Sequence, residues 1–179
     1  MEKFEFFLDN NVFITNNFDI NSLHDFVEMA NENDLGFNLM SHSFPYPYTE
    51  EDALFFIDQE REMGGEIFSL DLYIYFNGRI AGVIGLKDID YLNNRAHIGY
   101  WIGKKYRNRG IATAAVGLVS NVAKTYFGMH TLYTKVLVNN IPSINVLLKN
   151  RFEISGIEKD AFFFKNIYYS AYIFNKILY

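Results

Sequence analysis

Between Ile98 and Thr113 the apolar run Ile98-Gly99-Tyr100-Trp101-Ile102 breaks into a short basic loop, Gly103 to Gly110, which opens directly into Ile111-Ala112-Thr113 and a helix. Backbone N–H groups that leave a tight turn and enter a helix point the same way. They meet the positive end of the helix dipole, so this turn is an expected anion site. Arg107, Arg109 and the loop lysines Lys104 and Lys105 add charge suited to a phosphate. A plain surface loop in which Gly110 serves only the turn has the same local pattern.

The rest of the chain supplies a sheet and helices around this junction. Asn11 to Thr15 reads as a first strand. Leu23, Phe26, Val27 and Ala30 fall at helical spacing between Asp19 and Asn33. The loop Phe44-Pro45-Tyr46-Pro47-Tyr48 precedes Thr49, an expected N-cap whose following acids, Glu50, Glu51 and Asp52, complement the dipole of a second helix that buries Ala53, Phe56 and Ile57. Leu70–Phe76 and Ile80–Lys87 flank Asn77-Gly78, a strong hairpin signal, and Asn93-Asn94 turns the chain into Arg95–Gly103. The helix opened by Gly110 carries Ala112, Ala115, Val119, Val122, Ala123 and Tyr126 on one side, with Gly128 expected just past its end. Thr131–Val138 is a further strand. Asn140 caps a short helix with Pro142 in its first turn, and Phe162–Phe164 and Tyr168–Phe174 form a hairpin around Lys165-Asn166. The order β, α, α, three strands, α, β, α, two strands is an α+β plan with a central mixed sheet.

Composition removes several function classes. The 179 residues are expected to form one domain spanning 1–179, and 50% hydrophobic content supplies its core. A net charge of -5 disfavours nucleic-acid partners. The absence of cysteine excludes disulfides and thiolate metal sites, and His24, His42, His97 and His130 lack metal-ligand spacing. Met1-Glu2-Lys3-Phe4 has no signal-peptide core. The apolar Ala161–Tyr179 is interrupted at Lys165-Asn166 and Asn175-Lys176, so no membrane association is expected and the expected location is cytoplasmic.

The spacing Arg107-x-x-Gly110-x-Ala112 resembles the Arg/Gln-x-x-Gly-x-Gly/Ala signature of the GNAT (Gcn5-related N-acetyltransferase) superfamily. The resemblance extends from about Asn11 to Phe174 and is to the RimJ/RimL-like branch. Pro45-Tyr46-Pro47-Tyr48-Thr49-x-x-Asp52-Ala53-x-x-Phe56-Ile57 is similar to its proline-tyrosine loop and second helix, Gly99-Tyr100-Trp101-Ile102-Gly103 to its fourth strand, and Asn140-x-x-Ser143-x-x-Val146-x-x-Lys149-x-x-Phe152 to its closing motif. The fold this implies is the GNAT-type acyl-CoA N-acyltransferase fold, a mixed sheet of about seven strands with about four helices.

The resemblance also implies a site and a co-substrate, acetyl-CoA, with no metal. Arg107, Asn108, Arg109, Gly110, Ile111, Ala112 and Thr113 would hold the pyrophosphate, chiefly through backbone amides. Trp101 and Ile102 would lie along the acetyl and pantetheine groups where the fourth strand splays from the fifth, offering N–H groups to the thioester oxygen. Asn140 and Ser143 would contact the coenzyme arm and sulfur, with the Ser143 hydroxyl donating to the departing thiolate. His97 stands where many relatives carry a glutamate and shares a face with Gly99 and Trp101, so it is a candidate base. Each has a structural alternative: Trp101 as a core aromatic, His97 as a hydrogen-bonded edge residue, Asn140 as a helix cap, Ser143 as its first turn.

Leu147 replaces the tyrosine that acts as general acid in some branches, Arg151 replaces a glycine at the helix exit, and Ser170 an aspartate of the last strand. Tyr46, Tyr48 and the loop around His42 are expected to border the acceptor, with stapling of the second helix by Phe44 and Tyr48 as the alternative. The implied activity is transfer of acetyl from acetyl-CoA to a primary amine, a protein N-terminus or small amine, by direct attack in a ternary complex. An α-amino group, with a pKa near ~8, needs less help than an alkylamine near ~10.4. The alternatives are a noncatalytic acyl-CoA binding or sensing module and an anion-binding structural domain. Homodimerisation is left open.

Overall fold

The computed structural model describes residues 4–7, 11–32, 35–59, 62–63 (backbone) and 65–179. Met1–Lys3 of the mixed-charge start, and Asn33 at the end of the expected first helix, lie outside the described residues. The elements in order are β1 (Glu5–Phe7), β2 (Val12–Thr15), α1 (Leu23–Ala30), α2 (Leu35–Asn38), α3 (Glu50–Asp58), β3 (Glu62–Met63), β4 (Glu66–Ile67), β5 (Leu70–Phe76), β6 (Arg79–Asp90), β7 (Arg95–Ile102), α4 (Ile111–Thr125), β8 (Thr131–Leu137), α5 (Ile141–Lys149), β9 (Glu153–Phe164) and β10 (Ile167–Ile177). Short 3-10 turns precede α1 at Ile20–Ser22 and follow β7 at Lys104–Tyr106.

The main sheet has eight strands in the order β1-β2-β5-β6-β7-β8-β10-β9, against the expected seven; the addition is β1, an edge strand whose Phe6 meets Tyr126 edge-on. Tyr126, which shares the buried stripe's spacing, is the C-cap of α4 and is exposed despite this contact. The fifth helix is the single turn α2, too short to show a hydrophobic period. In α1 the fully buried face is Phe26, Met29 and Ala30, with Leu23 and Val27 half-buried. Met29 belongs to the buried face because it packs on Gly103, where a Cβ would lie 2.4 Å from its sulfur.

Local chemistry sets the turns. Asn77 and Gly78 both have positive φ, as do Lys165 and Asn166, the geometry of two-residue hairpin loops that match strand twist. Thr49 and Asp52 form a reciprocal capping box at α3. β9 begins at Glu153, well N-terminal of the expected Phe162; its first half is an exposed edge rich in charge, which hides strand periodicity.

Every pair of neighbouring strands in the main sheet is antiparallel except β7 and β8. Their parallel register runs only from Arg95↔Thr131 to His97↔Tyr133, although β7 continues to Ile102 and β8 to Leu137. The sheet therefore opens beyond His97. Helices α4 and α5 pack together on one face and α1 and α3 on the other, where Phe26 reaches Trp101. Among the described residues no helix is long and apolar enough to cross a membrane.

Candidate functional site

The basic turn is held by its own side chains. Arg107 Nε donates to the Ile102 carbonyl at 3.0 Å and Nη2 to Glu32 Oε2 at 3.1 Å, while the Lys104 N–H donates to Glu32 Oε1 at 2.6 Å. Arg107, read from sequence as phosphate charge, is committed in this structure to clamping the turn against the end of α1. Asn108 and Gly110 take φ of 61° and 79°, a left-handed conformation that Asn tolerates and Gly adopts freely. Gly110 is the N-cap of α4 and supplies no capping side chain, so the first-turn N–H groups of Ile111, Ala112 and Thr113 have no acceptor within the helix. A Cβ at Gly110 would meet nothing within 4 Å. Arg109 and Lys105 are exposed beside this opening, with Lys105 Nζ 4.0 Å from Asp25.

From the turn, the open edge of β7 leads into the molecule. The Gly103 N–H donates to Ala81 across the β6 side. Strand alternation then aims the amides of Trp101 and Gly99 at β6 and those of Tyr100 and Ile102 at the gap. Of the two residues expected from sequence along the pantetheine, Ile102 presents its backbone to the gap. Trp101 presents its ring to the opposite face, tilted against Phe26 at 5.6 Å. Facing the gap, α5 starts at Asn140, whose Oδ1 accepts from the Ser143 N–H at 3.3 Å and whose amide donates to Asn38 at 3.3 Å. The Tyr100 hydroxyl lies 2.9 Å from Ser143 Oγ and 3.2 Å from its carbonyl. Burial pushes the Tyr100 pKa up to about 12, so this phenol keeps its proton. Leu147 is fully buried in the core behind it.

The face bearing Trp101 forms a grid fixed by register. Ser69, Lys87 and His97 stand in one row, Asp71, Gly85 and Gly99 in the next, and Tyr73, Val83 and Trp101 in the third. The two glycines leave a bare floor. Above it lies a cavity of about 470 Å³ walled by Phe44, Tyr48, Phe55 and Phe56 and reaching Asp71, Lys87 and Trp101. Lys87 Nζ lies 2.5 Å from Asp71 Oδ2 and 3.0 Å from Ser69 Oγ. His97 borders this floor: a Cβ at Gly99 would lie 3.9 Å from its Cε1. Its Nε2 is 3.4 Å from Thr134 Oγ1. Burial lowers its pKa; Asp88 opposes this, and Lys135 and Lys87 add to it, so the ring is neutral at neutral pH.

The structure thus brings His97, Gly99 and Trp101 onto one face, and Ile102, Asn140 and Ser143 onto the gap. Phe44 and Tyr48 stack at 5.2 Å and line the cavity, whereas Tyr46 is exposed and His42 lies against Phe162 at 4.7 Å. Sequence reasoning missed Asp71, Lys87 and Tyr100. A lone aspartate inside the apolar strand Leu70–Phe76 was the available signal, since an acid there is seldom buried without a partner. Among the described residues no cluster of three or more His, Asp or Glu is placed to hold a metal.

An antiparallel meander followed by a parallel pair that opens over a helix N-terminus defines an acyl-CoA-type transferase fold. Residues 17–153 match the acetyltransferase (GNAT) domain family, and the chain belongs to that family. It is 29% identical over 106 residues to the ribosomal-protein-serine acetyltransferase of Escherichia coli (strain K12), covering 59% of each chain. It is 28% identical over 95 residues to the spermidine N(1)-acetyltransferase of the same strain, covering 53% of this chain and 51% of that one. The chain spans about half the length of the curated relatives it matches. The solved RimL ribosomal L7/L12 alpha-N-protein acetyltransferase in complex with coenzyme A has the same fold, with a TM-score of 0.85 at 17% identity, covering 97% of this chain and 98% of that one.

Proposed function

We propose that this chain transfers the acetyl group of acetyl-CoA to a primary amine. The observation that carries the reading is the opened β7–β8 edge, which runs from a cap-less helix N-terminus to the Tyr100–Ser143 pair. The donors fit the group chemically. Three first-turn amides and the exposed Arg109 suit a pyrophosphate, and the Tyr100 and Ile102 amides at the gap suit an extended amide-bearing arm. The Ser143 hydroxyl, oriented by Tyr100, donates to the sulfur as it leaves. His97, neutral and beside the Gly99 floor, takes the proton from the acceptor amine directly or through one water.

Relatives acting on a ribosomal protein serine and on spermidine support an amine acceptor, either a protein N-terminus or a small amine. Thermal unfolding with acetyl-CoA, against inorganic pyrophosphate, tests coenzyme binding. A selective shift of roughly 2.7 kcal/mol is expected at about 100 times the dissociation constant. Thiol release in the presence of amines then tests transfer and separates an enzyme from a noncatalytic acyl-CoA sensor. The protein has no cysteine to contaminate that signal.

A further inference from the structure

Asp71 is 6% exposed, in a strand whose other residues are apolar or aromatic. A buried carboxylate is tolerated only with a cation at hand. Lys87 supplies a cation, yet Lys87 is no core residue: its side chain is 38% exposed, and it lines the cavity. Gly85, directly opposite Asp71, cannot bear a side chain, because a Cβ would lie 2.6 Å from the Leu70 carbonyl and 2.8 Å from Asp71 Oδ1. The carboxylate therefore overlies Gly85, and Gly99 beyond it is bare, so this row puts no side chain of β6 or β7 between Asp71 and the strand that carries His97 and Trp101.

We infer that Asp71 and Ser69 are the ammonium-binding groups of the acceptor site, and that Lys87 is an internal occupant which the acceptor's ammonium displaces. Asp71 Oδ2 and Ser69 Oγ already accept from one ammonium, and any primary ammonium offers the same N–H groups. The cavity that Asp71 and Lys87 line, with Ser69 behind Lys87, is walled largely by aromatic rings, Phe44, Tyr48, Phe55, Phe56 and Trp101. It favours a cation on an apolar body, through burial and contact with ring faces. Asp52, also at the cavity, is taken by the Thr49 cap, so among the described acids that line the cavity Asp71 is the anchor. The acceptor class is thus a primary amine on an alkyl or aromatic body. Its identity as the acetylated substrate rests on the acetyl-transfer reading; its binding does not.

The test is titration of the full chain with 2-phenylethylamine and n-butylamine, with uncharged 2-phenylethanol as control, followed by calorimetry and thermal unfolding. The wild type is expected to bind the amines and not the alcohol. Asp71→Asn is expected to weaken amine binding about tenfold or more, as for a lost charge-assisted bond, and Ser69→Ala a few-fold. Lys87→Met is expected to bind the amines more tightly and to regain melting temperature when they are added. Acetyl-CoA affinity stays within about twofold in all three variants, since none touches the turn.

Amine affinity unchanged in Asp71→Asn, or reduced in Lys87→Met, overturns the assignment. If Asp71→Asn does not fold, Ser69→Ala and Lys87→Met decide it. Thiol release run in parallel reads the other question: amine binding through Asp71 without turnover overturns acetyl transfer alone, and turnover indifferent to Asp71 overturns this inference alone.

Discussion

The Arg107–Thr113 turn and the Ser69–Trp101 face are built in opposite ways. The turn offers backbone: its N–H groups come from contiguous residues, and Arg107 and Glu32 serve mainly to hold its shape. The face offers side chains on three strands, and its geometry depends on two glycines that contribute no atoms beyond the backbone. A backbone site resists most substitutions, failing only when something enters its opening. A side-chain site fails residue by residue, so its specificity can change without loss of the fold. On the proposed reading the common donor takes the first kind of site and the variable acceptor the second.

The largest effect is expected on the face. His97→Gln should lower the rate at neutral pH by about a hundredfold, the lower range for general-base catalysis. The wild-type rate should fall on the acid side as His97 protonates, below its ordinary pKa of ~6.5, because burial depresses it. The variant should lose that limb, and pH profiles identical in the two proteins would remove His97 as the base. Stability carries the same sign. The unfolded chain protonates this residue first, so His97 favours the fold above about pH 6.5, and that contribution is lost as pH falls through the depressed value. Urea titrations at several pH values should show the slope reduced in the variant.

Gly110→Asp should come next, weakening acetyl-CoA binding by roughly ten- to a hundredfold. It forces a side chain into a left-handed position and puts a negative charge where the pyrophosphate would lie. Amine binding should not move, which is the sharpest separation of the two regions. Coenzyme affinity unchanged in a folded variant would sink the turn assignment.

A pair of alanines probes the glycine floor. Gly85→Ala, with its clash against Leu70 and Asp71, should destabilise the protein by about 1–3 kcal/mol. Gly99→Ala meets nothing closer than 3.9 Å and should fold within about 0.5 kcal/mol of wild type. It should nevertheless raise the KM for the amine several-fold while leaving that for acetyl-CoA unchanged. Equal KM values would mean that the acceptor does not lie on this floor.

Which features could be read from sequence follows the same division. The turn, the Asn77-Gly78 and Lys165-Asn166 hairpins and the Thr49–Asp52 cap are local, and the residues that define each are neighbours in the chain. The direction in which Arg107 points is not local: Glu32 arrives from the segment just past α1 and claims it. Asp71, Gly85 and Gly99 become one row only through strand register, and Tyr100 meets Ser143 only because the sheet opens. β1 escaped because three residues are too few to show a period. Charge buried in a strand was visible as an anomaly, but its partner was not.

Helix α5 faces the gap beside β7; its start holds Asn140 and Ser143 and its exit carries the smallest expected effect. Arg151 has φ 63°, where the resemblance expects glycine, and its N–H closes the helix on Leu148 while that of Phe152 closes on Leu147. The left-handed conformation costs a non-glycine residue about 1–2 kcal/mol. Glycine removes that cost but loses more entropy on folding, by about 0.5–1 kcal/mol. Arg151→Gly should therefore gain up to about 1 kcal/mol, a rise of roughly 2–4 °C in melting temperature. Asn150 ties the same exit to α4 through the Thr113 carbonyl at 3.1 Å, so strain here borders the Arg107–Thr113 turn. Unchanged kinetic constants in a stabilised Arg151→Gly would show that this strain stays local. A shifted KM for acetyl-CoA alone would show that α5 transmits it to the turn and leaves the acceptor face untouched.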